Sequence, residues 1–253
     1  MWNAEAGWKV GRLFVPRISV WLAPAAGYGV DRVPLEGGGV VAANHFSGID
    51  HPLIGAFCPR TIYFIAKAEL MDVPVVGRSL SALGVFGVRR GEGDRDALRQ
   101  ARQLARDGHL VGVHLEGTRQ RFGHPGTMQP GGLMIALQEG VPVVPCGLDT
   151  FGWSPRNRRK CAVVWGDPMG LDDLPRNRKG YAEAAEIVGA EIVRLWRIAA
   201  EASAAGLPDE LPDGAKRSGI NPKISRDGAQ PTAQAEGHGQ GLSPGGARRG
   251  RGE

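Results

Sequence analysis

Short, nearly continuous apolar runs alternate with segments of helical periodicity, and this alternation constrains the fold more than any other feature of the chain. The apolar runs predict strands at Val40–Ala43, Thr61–Ile65, Leu110–Leu115, Val141–Pro145 and Cys161–Trp165. Helical periodicity predicts helices at Asp94–Asp107, Gly131–Glu139 and Tyr181–Ala204. Apolar strands separated by helices are typical of an α/β fold, so we predict one domain with a largely parallel or mixed sheet flanked by helices. Proline within Val141–Pro145 favours an edge or irregular strand at that position.

The two ends of the 253-residue chain differ in composition from its middle. From Ala205 onward Gly, Pro, Ser, Gln and charged residues dominate. Such a segment cannot bury enough apolar surface to offset its ordering entropy, so residues 205–253 are predicted to be a disordered tail. Residues 30–204 then form the folded domain, and residues 1–29 form a separate N-terminal segment.

The N-terminal segment combines tryptophan and aliphatic residues with the basic residues Lys9, Arg12 and Arg17. This pattern is typical of an amphipathic helix that lies in a membrane interface. A helix packed on the protein's own core is an equal alternative, and one segment could do both. No apolar run reaches 18 residues, and no signal-peptide h-region is evident.

The formal charge of +5 and the pI near 9.4 suit an anionic partner. No nucleic-acid-binding motif accompanies that charge, so anionic lipid surfaces or phosphorylated substrates are favoured over nucleic acid. The cysteines Cys58, Cys146 and Cys161 fit neither a disulfide framework nor a metal site and are expected to be buried free thiols. The histidines show no metal-ligand spacing, so no metal is expected.

A histidine and an aspartate follow the first apolar run within the stretch Asn44–Asp50. His45 and Asp50 are five residues apart, so they can meet only across a turn, which Ser47 and Gly48 favour. Neutral imidazole is a common general base, and a carboxylate can fix its tautomer. The alternatives are that Asp50 caps the helix that follows and that His45 is a structural histidine.

Two further segments carry charge at predicted strand ends. Glu116, Gly117, Thr118 and Arg119 follow one strand, where open α/β sheets place ligands and where an arginine can hold a phosphate. Arg90 ends another apolar run, at Gly84–Arg90, and could act as a second anion clamp. An ordinary polar turn and a solvated arginine are the alternatives for these two segments.

In this order and spacing, the motifs resemble those of the glycerolipid acyltransferase family, the lysophosphatidic acid acyltransferases and their relatives. Asn44, His45 and Asp50 match the family's Asn-His-x4-Asp motif. Residues 114–120 match Phe-Pro-Glu-Gly-Thr-Arg-Ser, with His114 and Leu115 in place of Phe-Pro. Arg90 takes the arginine place of the second motif, and Val141–Pro145 matches the fourth. The resemblance covers roughly residues 10 to 200.

The resemblance implies transfer of a fatty acyl group from acyl-CoA or acyl-carrier protein to the hydroxyl of a lysophospholipid, with phosphatidic acid as the expected product. His45 would be the general base and Asp50 its orienting partner. Arg90, Glu116, Gly117, Thr118 and Arg119 would bind the acceptor's phosphate or glycerol part. No cofactor is implied beyond the acyl donor as co-substrate. The enzyme would lie on the cytoplasmic face of the membrane as a peripheral or monotopic protein.

Two alternatives stay open. The same chemistry could serve another acceptor, such as a different lysophospholipid, a glycolipid or an aminolipid. The chain could also be a membrane-surface binding protein in which the histidine motif is not catalytic.

Overall fold

The computed structural model of the chain describes residues 14–67, 86–88 and 94–222. The strands of the described part are β1 (Ala25–Tyr28), β2 (Gly39–Ala43), β3 (Ile62–Lys67), β4 (Phe86–Val88), β5 (Leu110–His114), β6 (Val143–Asp149), β7 (Cys161–Trp165) and β8 (Arg217–Ser218). Its α-helices are α1 (residues 14–22), α2 (Asp50–Ala56), α3 (Asp94–Arg106), α4 (Leu133–Glu139) and α5 (Arg178–Ala204). Short 3-10 turns at Val30–Arg32 and Pro130–Gly132 complete the set.

The strands form one mixed sheet in the order β4-β3-β5-β2-β6-β7-β1-β8. The five strands from β4 to β6 run parallel to one another, β7 runs antiparallel to β6, and β1 runs parallel to β7. The predicted α/β fold with a largely parallel or mixed sheet is confirmed.

Both faces of the sheet are buried, as near-continuous apolar strands require. In β2, Val41 and Ala43 face an apolar cluster that contains Leu53 of α2 and Phe57, the residue that follows α2. Val40 and Ala42 face the opposite cluster, which includes side chains of α3, α4 and α5. The three cysteines are free and buried, as expected from the sequence.

The long helix α5 lies directly on β6. A Cβ at Gly147 would lie 2.3 Å from backbone atoms of Leu195 and Trp196, so only glycine permits this close approach. At its start, the side chain of Asn177 accepts hydrogen bonds from the backbone of Lys179 and Gly180 and caps the helix. This packing holds β6, which carries part of the site described below.

Strands from both halves of the chain begin or end at the same side of the sheet, which we call the site edge. The carboxyl ends of β2, β5 and β6 lie there, because these strands are parallel and in register. The amino ends of β7 and β1 lie at the same edge, since Asp149 pairs with Ala162 and Cys161 pairs with Ala25. Helix α1, which precedes β1, is therefore brought to the edge where the histidine turn emerges.

The prediction of an edge or irregular strand at Val141–Pro145 is wrong. β6 lies between β2 and β7 and is buried along its whole length. Pro145 is tolerated because it lies one residue before the antiparallel ladder with β7 begins at Cys146. Its carbonyl still accepts a hydrogen bond from Gly166, at 2.9 Å.

The predicted boundary of the disordered tail at residue 205 needs correction. Residues 205–222 form an ordered segment that buries Leu207, Leu211 and Ala215 and adds β8 to the sheet beside β1. Scattered apolar residues among Gly and Pro were enough to fold here, because a preformed sheet edge and α5 supply the surface they cover. Residues 223–253 of the predicted tail lie outside the described residues, as do residues 1–13 of the N-terminal segment.

Among the described residues, none of the helices combines the length and the apolar character needed to cross a membrane.

Candidate active site

A buried asparagine fixes the point where the chain leaves β2. The side-chain amide of Asn44 donates to the carbonyl of Leu148 at 2.9 Å, and its side-chain oxygen accepts from the Leu148 N–H at 2.8 Å. Both of its polar groups are therefore satisfied in the interior. These two hydrogen bonds to β6 fix the direction of the segment at residues 44–50, which we call the His45 corner.

Asp50 closes this corner from the far side. Its Oδ2 accepts from the backbone N–H groups of Phe46 at 2.7 Å and Ser47 at 2.9 Å. Its Oδ1 accepts from the hydroxyls of Ser47 at 2.9 Å and Thr150 at 2.5 Å. The N-cap of α2 is Ile49, without a side-chain hydrogen bond, so the alternative that Asp50 caps the helix is not what the structure shows.

The ring of His45 meets Asp50 across the turn. Nδ1 of His45 lies 2.7 Å from Oδ2 of Asp50, and the His45 side chain keeps 13% of its surface exposed while Asp50 has none. An ionised carboxylate can only accept, so Nδ1 carries the proton and donates it. In the neutral form of the ring, Nε2 is then the nitrogen with the lone pair, which is the arrangement that a general base requires.

The pKa of Asp50 shows that the carboxylate is ionised at neutral pH. Burial alone would raise this pKa, but the hydrogen bond with His45, the charges that His114 and His45 carry when protonated and the hydrogen bond from Thr150 outweigh it, and the pKa falls to about 2. A buried carboxylate with five donors is thus held as a fixed negative charge behind the imidazole.

Two further histidines surround His45. The ring of His114, the last residue of β5, stacks on His45 with a centroid distance of 4.1 Å, and His51 of α2 lies edge-on to both rings. Burial lowers the pKa of His114 well below its ordinary value, and burial together with the charge of His45 lowers that of His51 to about 4. Both neighbours are therefore neutral rings at pH 7.

Donor atoms of His45, Asp50 and His114 all lie within 4.8 Å of one another, a spacing that a metal site could use. Asp50, however, already accepts five hydrogen bonds, and His114 Nδ1 lies 2.8 Å from the carbonyl oxygen of Asn44, to which it donates. An ion could bind here only by displacing some of these bonds. The arrangement is better suited to holding an imidazole than to coordinating a cation.

The turn that follows β5 is fastened to His45 through the backbone. Glu116 Oε2 accepts from the N–H of His45 and Oε1 accepts from the N–H of Gly126 at 2.9 Å, while the His45 carbonyl accepts from the N–H of Gln120 at 2.8 Å. Both backbone groups of His45 are thereby fixed. Burial raises the pKa of Glu116 to about 7 despite these hydrogen bonds.

Beyond Glu116 the chain is exposed. Gly117 adopts φ 67°, and Gly117, Thr118 and Arg119 all lie at the surface. Nη2 of Arg119 lies 3.7 Å from the position that a Cβ would occupy on Gly48, so this guanidinium reaches the His45 corner. We call residues 117–121 the Arg119 turn. The structure thus brings four of the five predicted binding residues to the base, while Arg90 lies outside the described residues.

Large apolar side chains stand exposed at the same edge of the sheet. On α1, Phe14, Ile18 and Trp21 are 61%, 54% and 67% exposed, and they follow one another at helical spacing on one face. The indole nitrogen of Trp153 donates to the carbonyl of Leu22, and the Arg158 guanidinium lies 5.8 Å from the ring centroid of Trp21. Phe122, 82% exposed, and Phe151, 39% exposed, are further exposed aromatic side chains, and the ring of Phe151 lies 5.8 Å from that of Phe46 in the His45 corner. One side of α1 thus packs on the protein while the other faces outward.

Sequence reasoning missed several residues of the site. Thr150 reaches Asp50 from 100 positions away, and no local pattern signals that contact. The stacking of His114 on His45 and the edge-on contact of His51 were also missed, although His114 lies at the end of a predicted strand parallel to the one that leads into His45. Parallel strand ends meet at one edge of a sheet, so that signal was available in principle.

Comparison with known proteins agrees with this geometry. A family model described as Acyltransferase matches residues 26–149, which include the His45 corner and the Arg119 turn. The chain resembles this acyltransferase family over these residues. The match runs from β1 to the end of β6, so the resemblance rests on the part of the fold that builds the site.

Several similar proteins carry names that state an acyltransferase activity. The chain is 30% identical over 139 residues to the 1-acyl-sn-glycerol-3-phosphate acyltransferase of Borreliella burgdorferi, covering 52% of this chain and 54% of that one. It is 26% identical over 150 residues to the protein of the same name from Bacillus subtilis, covering 58% and 74%. It is 36% identical over 108 residues to the lyso-ornithine lipid O-acyltransferase of Pseudomonas aeruginosa, covering 42% and 41%. The chain thus spans about half the length of the Borreliella protein.

A solved structure shares the fold. The crystal structure of the 1-acyl-sn-glycerophosphate (LPA) acyltransferase PlsC from Thermotoga maritima superposes with a TM-score of 0.62 at 26% sequence identity, covering 75% of this chain and 78% of that one. The family resemblance predicted from the motifs is therefore confirmed.

Proposed function

We propose that this protein is an O-acyltransferase that moves a fatty acyl group from a thioester donor, acyl-CoA or acyl-carrier protein, to the hydroxyl of a lysophospholipid. The observation that carries the proposal is the His45–Asp50 pair, in which a buried, ionised carboxylate fixes Nδ1 and leaves Nε2 open. The family match and the names of the relatives support the same reaction class.

In the proposed reaction, His45 Nε2 removes the proton from the acceptor hydroxyl as its oxygen attacks the thioester carbonyl carbon. The new C–O bond forms, the C–S bond breaks, and the imidazolium returns its proton to the leaving sulfur. Asp50 stabilises the transient positive charge on His45. General base catalysis of this kind contributes roughly 10²–10⁴ in rate.

Direct transfer is favoured over an acyl-enzyme route. The hydroxyl of Ser47, two residues after His45, donates to Asp50, so it lies on the Nδ1 side of the pair. Cys58 and Cys146 are fully buried, and burial raises the pKa of the Cys146 thiol well above its ordinary value. Among the described residues, no nucleophile is therefore placed for a covalent intermediate.

The preferred acceptor is 1-acyl-sn-glycerol 3-phosphate, which would give phosphatidic acid. An exposed arginine beside the base suits a phosphate, because its planar fork matches two phosphate oxygens. Arg119 takes this role, with Thr118 offering a hydroxyl donor, while the N–H of Gly117 already donates to the carbonyl of His114 at 3.0 Å. Arg90 is proposed as a second clamp on the strength of its motif alone. Glu116 supports the site through the backbone of His45 and is not placed to contact phosphate.

A second acceptor class has one specific observation in its favour. The similarity to a lyso-ornithine lipid O-acyltransferase reaches 36%, the highest identity among the relatives described above. An aminolipid acceptor has no phosphomonoester, so it would use the base but not the arginine.

We also propose that the enzyme acts at the cytoplasmic leaflet, with the outward face of α1 in the lipid interface. Phe14, Ile18 and Trp21 offer the apolar contact, and neighbouring Arg17 and Arg158 suit anionic headgroups. Replacing Phe14, Ile18 and Trp21 together by serine should reduce flotation with anionic vesicles. Undiminished flotation would contradict this placement.

The purified full chain with radiolabelled acyl-CoA and a panel of acceptors tests the activity. We expect labelled phosphatidic acid from lysophosphatidate, and a His45→Ala rate lower by at least about 10². Product from lyso-ornithine lipid alone would favour the second acceptor. A His45→Ala variant as fast as wild type would contradict the general-base role of His45, whereas a wild type that transfers to no acceptor would leave the membrane-surface binding protein as the better description.

A further inference from the structure

We infer that Thr150 is a positioning residue for the proposed base, acting through Asp50. This inference rests on the proposed function of His45 and extends it to a side chain that no motif of the sequence includes. Thr150 follows the last residue of β6 and is completely buried. Its hydroxyl donates to Oδ1 of Asp50, the oxygen that does not contact His45.

The two oxygens of Asp50 have different partners. Oδ2 meets the ring of His45 and two backbone N–H groups of the corner. Oδ1 has two hydroxyl donors, Ser47 from within the corner and Thr150 from the neighbouring strand. Thr150 is thus the only side chain among the described residues that reaches this carboxylate from outside residues 44–50. It ties the orientation of the carboxylate to the sheet itself.

The segment around Thr150 is held firmly enough to do this. The preceding residue, Asp149, receives a two-pronged hydrogen bond from Arg159, at 3.1 Å and 2.7 Å. The carbonyl of Thr150 accepts from the N–H of Trp153 at 3.1 Å, and the Trp153 indole in turn reaches Leu22. Asn44 is locked to Leu148, two residues earlier on the same strand. β6 therefore positions both the start of the His45 corner, through Asn44, and its end, through Thr150.

A buried carboxylate that loses a donor has two responses. It can rotate toward its remaining partners, which moves Oδ2 relative to His45 Nδ1, or it can keep its place with an unsatisfied lone pair. Either response weakens the control that Asp50 exerts over the imidazole. The effect is expected on the chemical step and not on acceptor binding, because Thr150 is buried behind the carboxylate and contacts no exposed surface of the site.

Thr150→Val tests this role, because valine has nearly the shape of threonine but no hydroxyl. We expect kcat to fall about tenfold with KM within about twofold of wild type, since a hydrogen bond to a charged group is among the stronger ones. Thr150→Ser, which keeps the hydroxyl, should restore the wild-type kcat.

Ser47→Ala supplies a second, independent variant. Its hydroxyl donates to the same oxygen, so either single loss leaves one donor in place. The double variant should therefore lose more than the product of the two single losses, because Oδ1 is then left without any hydroxyl donor. Thr61→Val, at a threonine just before β3 and at the opposite edge of the sheet, is the matched control and should behave as wild type.

The low-field proton resonance of His45 Nδ1–H provides a readout that does not depend on activity. It should shift in Thr150→Val, return in Thr150→Ser and stay unchanged in Thr61→Val. An unmoved resonance together with wild-type kcat in Thr150→Val would overturn the role of Thr150. Loss of transfer in every acceptor assay of the wild type, with the resonance shifting as expected, would instead refute the proposed function and leave the positioning role standing.

Discussion

The His45 corner and the Arg119 turn lie side by side at one edge of the sheet, yet they are built in opposite ways. In the corner, Asn44 and Asp50 are fully buried and all their polar groups are paired. In the turn, Gly117, Thr118 and Arg119 are exposed, and the hydrogen bonds that anchor the segment come from its two ends. The region that is proposed to do chemistry is rigidly organised, while the region that is proposed to recognise the acceptor is open.

This difference means that the structure constrains the catalytic geometry more tightly than the geometry of acceptor binding. A general base needs one fixed geometry, which buried hydrogen bonds can impose. Acceptor recognition by an exposed arginine depends on one flexible side chain and on solvent. Relatives with different acceptors in their names can therefore share the corner and differ in what surrounds it.

The largest effect should come from the corner. Asp50→Asn keeps the shape of the side chain but removes its charge, and its amide can donate to Nδ1 and so favour the wrong tautomer of His45. We expect acyl transfer to fall roughly 10³-fold, with little change in KM. Steady-state kinetics on the folded variant measure this, with Asp96→Asn on the exposed side of α3 as control. A loss below about tenfold would mean that the corner is not the rigid catalytic unit described above.

A smaller, substrate-dependent effect should come from the turn. Arg119→Ala should raise KM for lysophosphatidate about tenfold, because a charge-assisted contact to phosphate is lost, and should barely change KM for an acceptor without phosphate. Arg95→Ala, at an exposed site on α3, controls for the general loss of positive charge. An equal rise in KM for the phosphorylated and the phosphate-free acceptor would show that Arg119 does not recognise the phosphate, and the distinction between the two regions would fail.

Glu116, which joins the two regions, should make stability depend on pH. Its folded-state pKa of about 7 lies above the ordinary value of 4.5, so between these values the folded protein holds a proton that the unfolded chain has released. The free energy of unfolding should therefore decrease as pH rises from about 4.5 to about 7. Urea unfolding of wild type and Glu116→Gln across this range isolates the contribution. Parallel curves for the two proteins would show that Glu116 does not titrate in this way.

The smallest effect on the fold is expected at the exposed aromatic side chains. Phe122→Ser should change the free energy of unfolding by less than about 0.5 kcal/mol, because the side chain is 82% exposed. Affinity for anionic vesicles should nevertheless fall several-fold, since a phenylalanine that enters the interface buries apolar area. Vesicle sedimentation and chemical unfolding measure the two quantities. A large loss of stability with unchanged vesicle binding would assign Phe122 to the fold.

Much of this architecture follows from sequence pattern. Strands β2, β5 and β7 and helices α3 and α5 were predicted to within a few residues, because apolar runs and helical periodicity are local signals. The pairing of His45 with Asp50 was predicted for the same reason, since a five-residue turn is also local.

The rest depended on contacts that are distant in sequence. The central place of β6 depends on its pairing with both β2 and β7. The proline in its sequence is typical of an edge strand, so the sequence alone predicted the wrong position. Residues 205–222 fold onto a sheet edge that exists only after the domain has formed. The donation of Thr150 to Asp50 and the bonds of Glu116 to His45 and Gly126 likewise arise from register between strands. Local pattern carries no information about them.

The tautomer of His45 is the most direct test of the central claim, that the buried corner presents an open Nε2. The ¹⁵N chemical shifts of the two ring nitrogens, measured at neutral pH on protein labelled at histidine, report which one carries the proton. We predict a protonated Nδ1 and an unprotonated Nε2 in the wild type, and a shift of the proton toward Nε2 in Asp50→Asn. A wild-type His45 protonated at Nε2 and bare at Nδ1 would contradict the claim, because no lone pair would then face the acceptor hydroxyl.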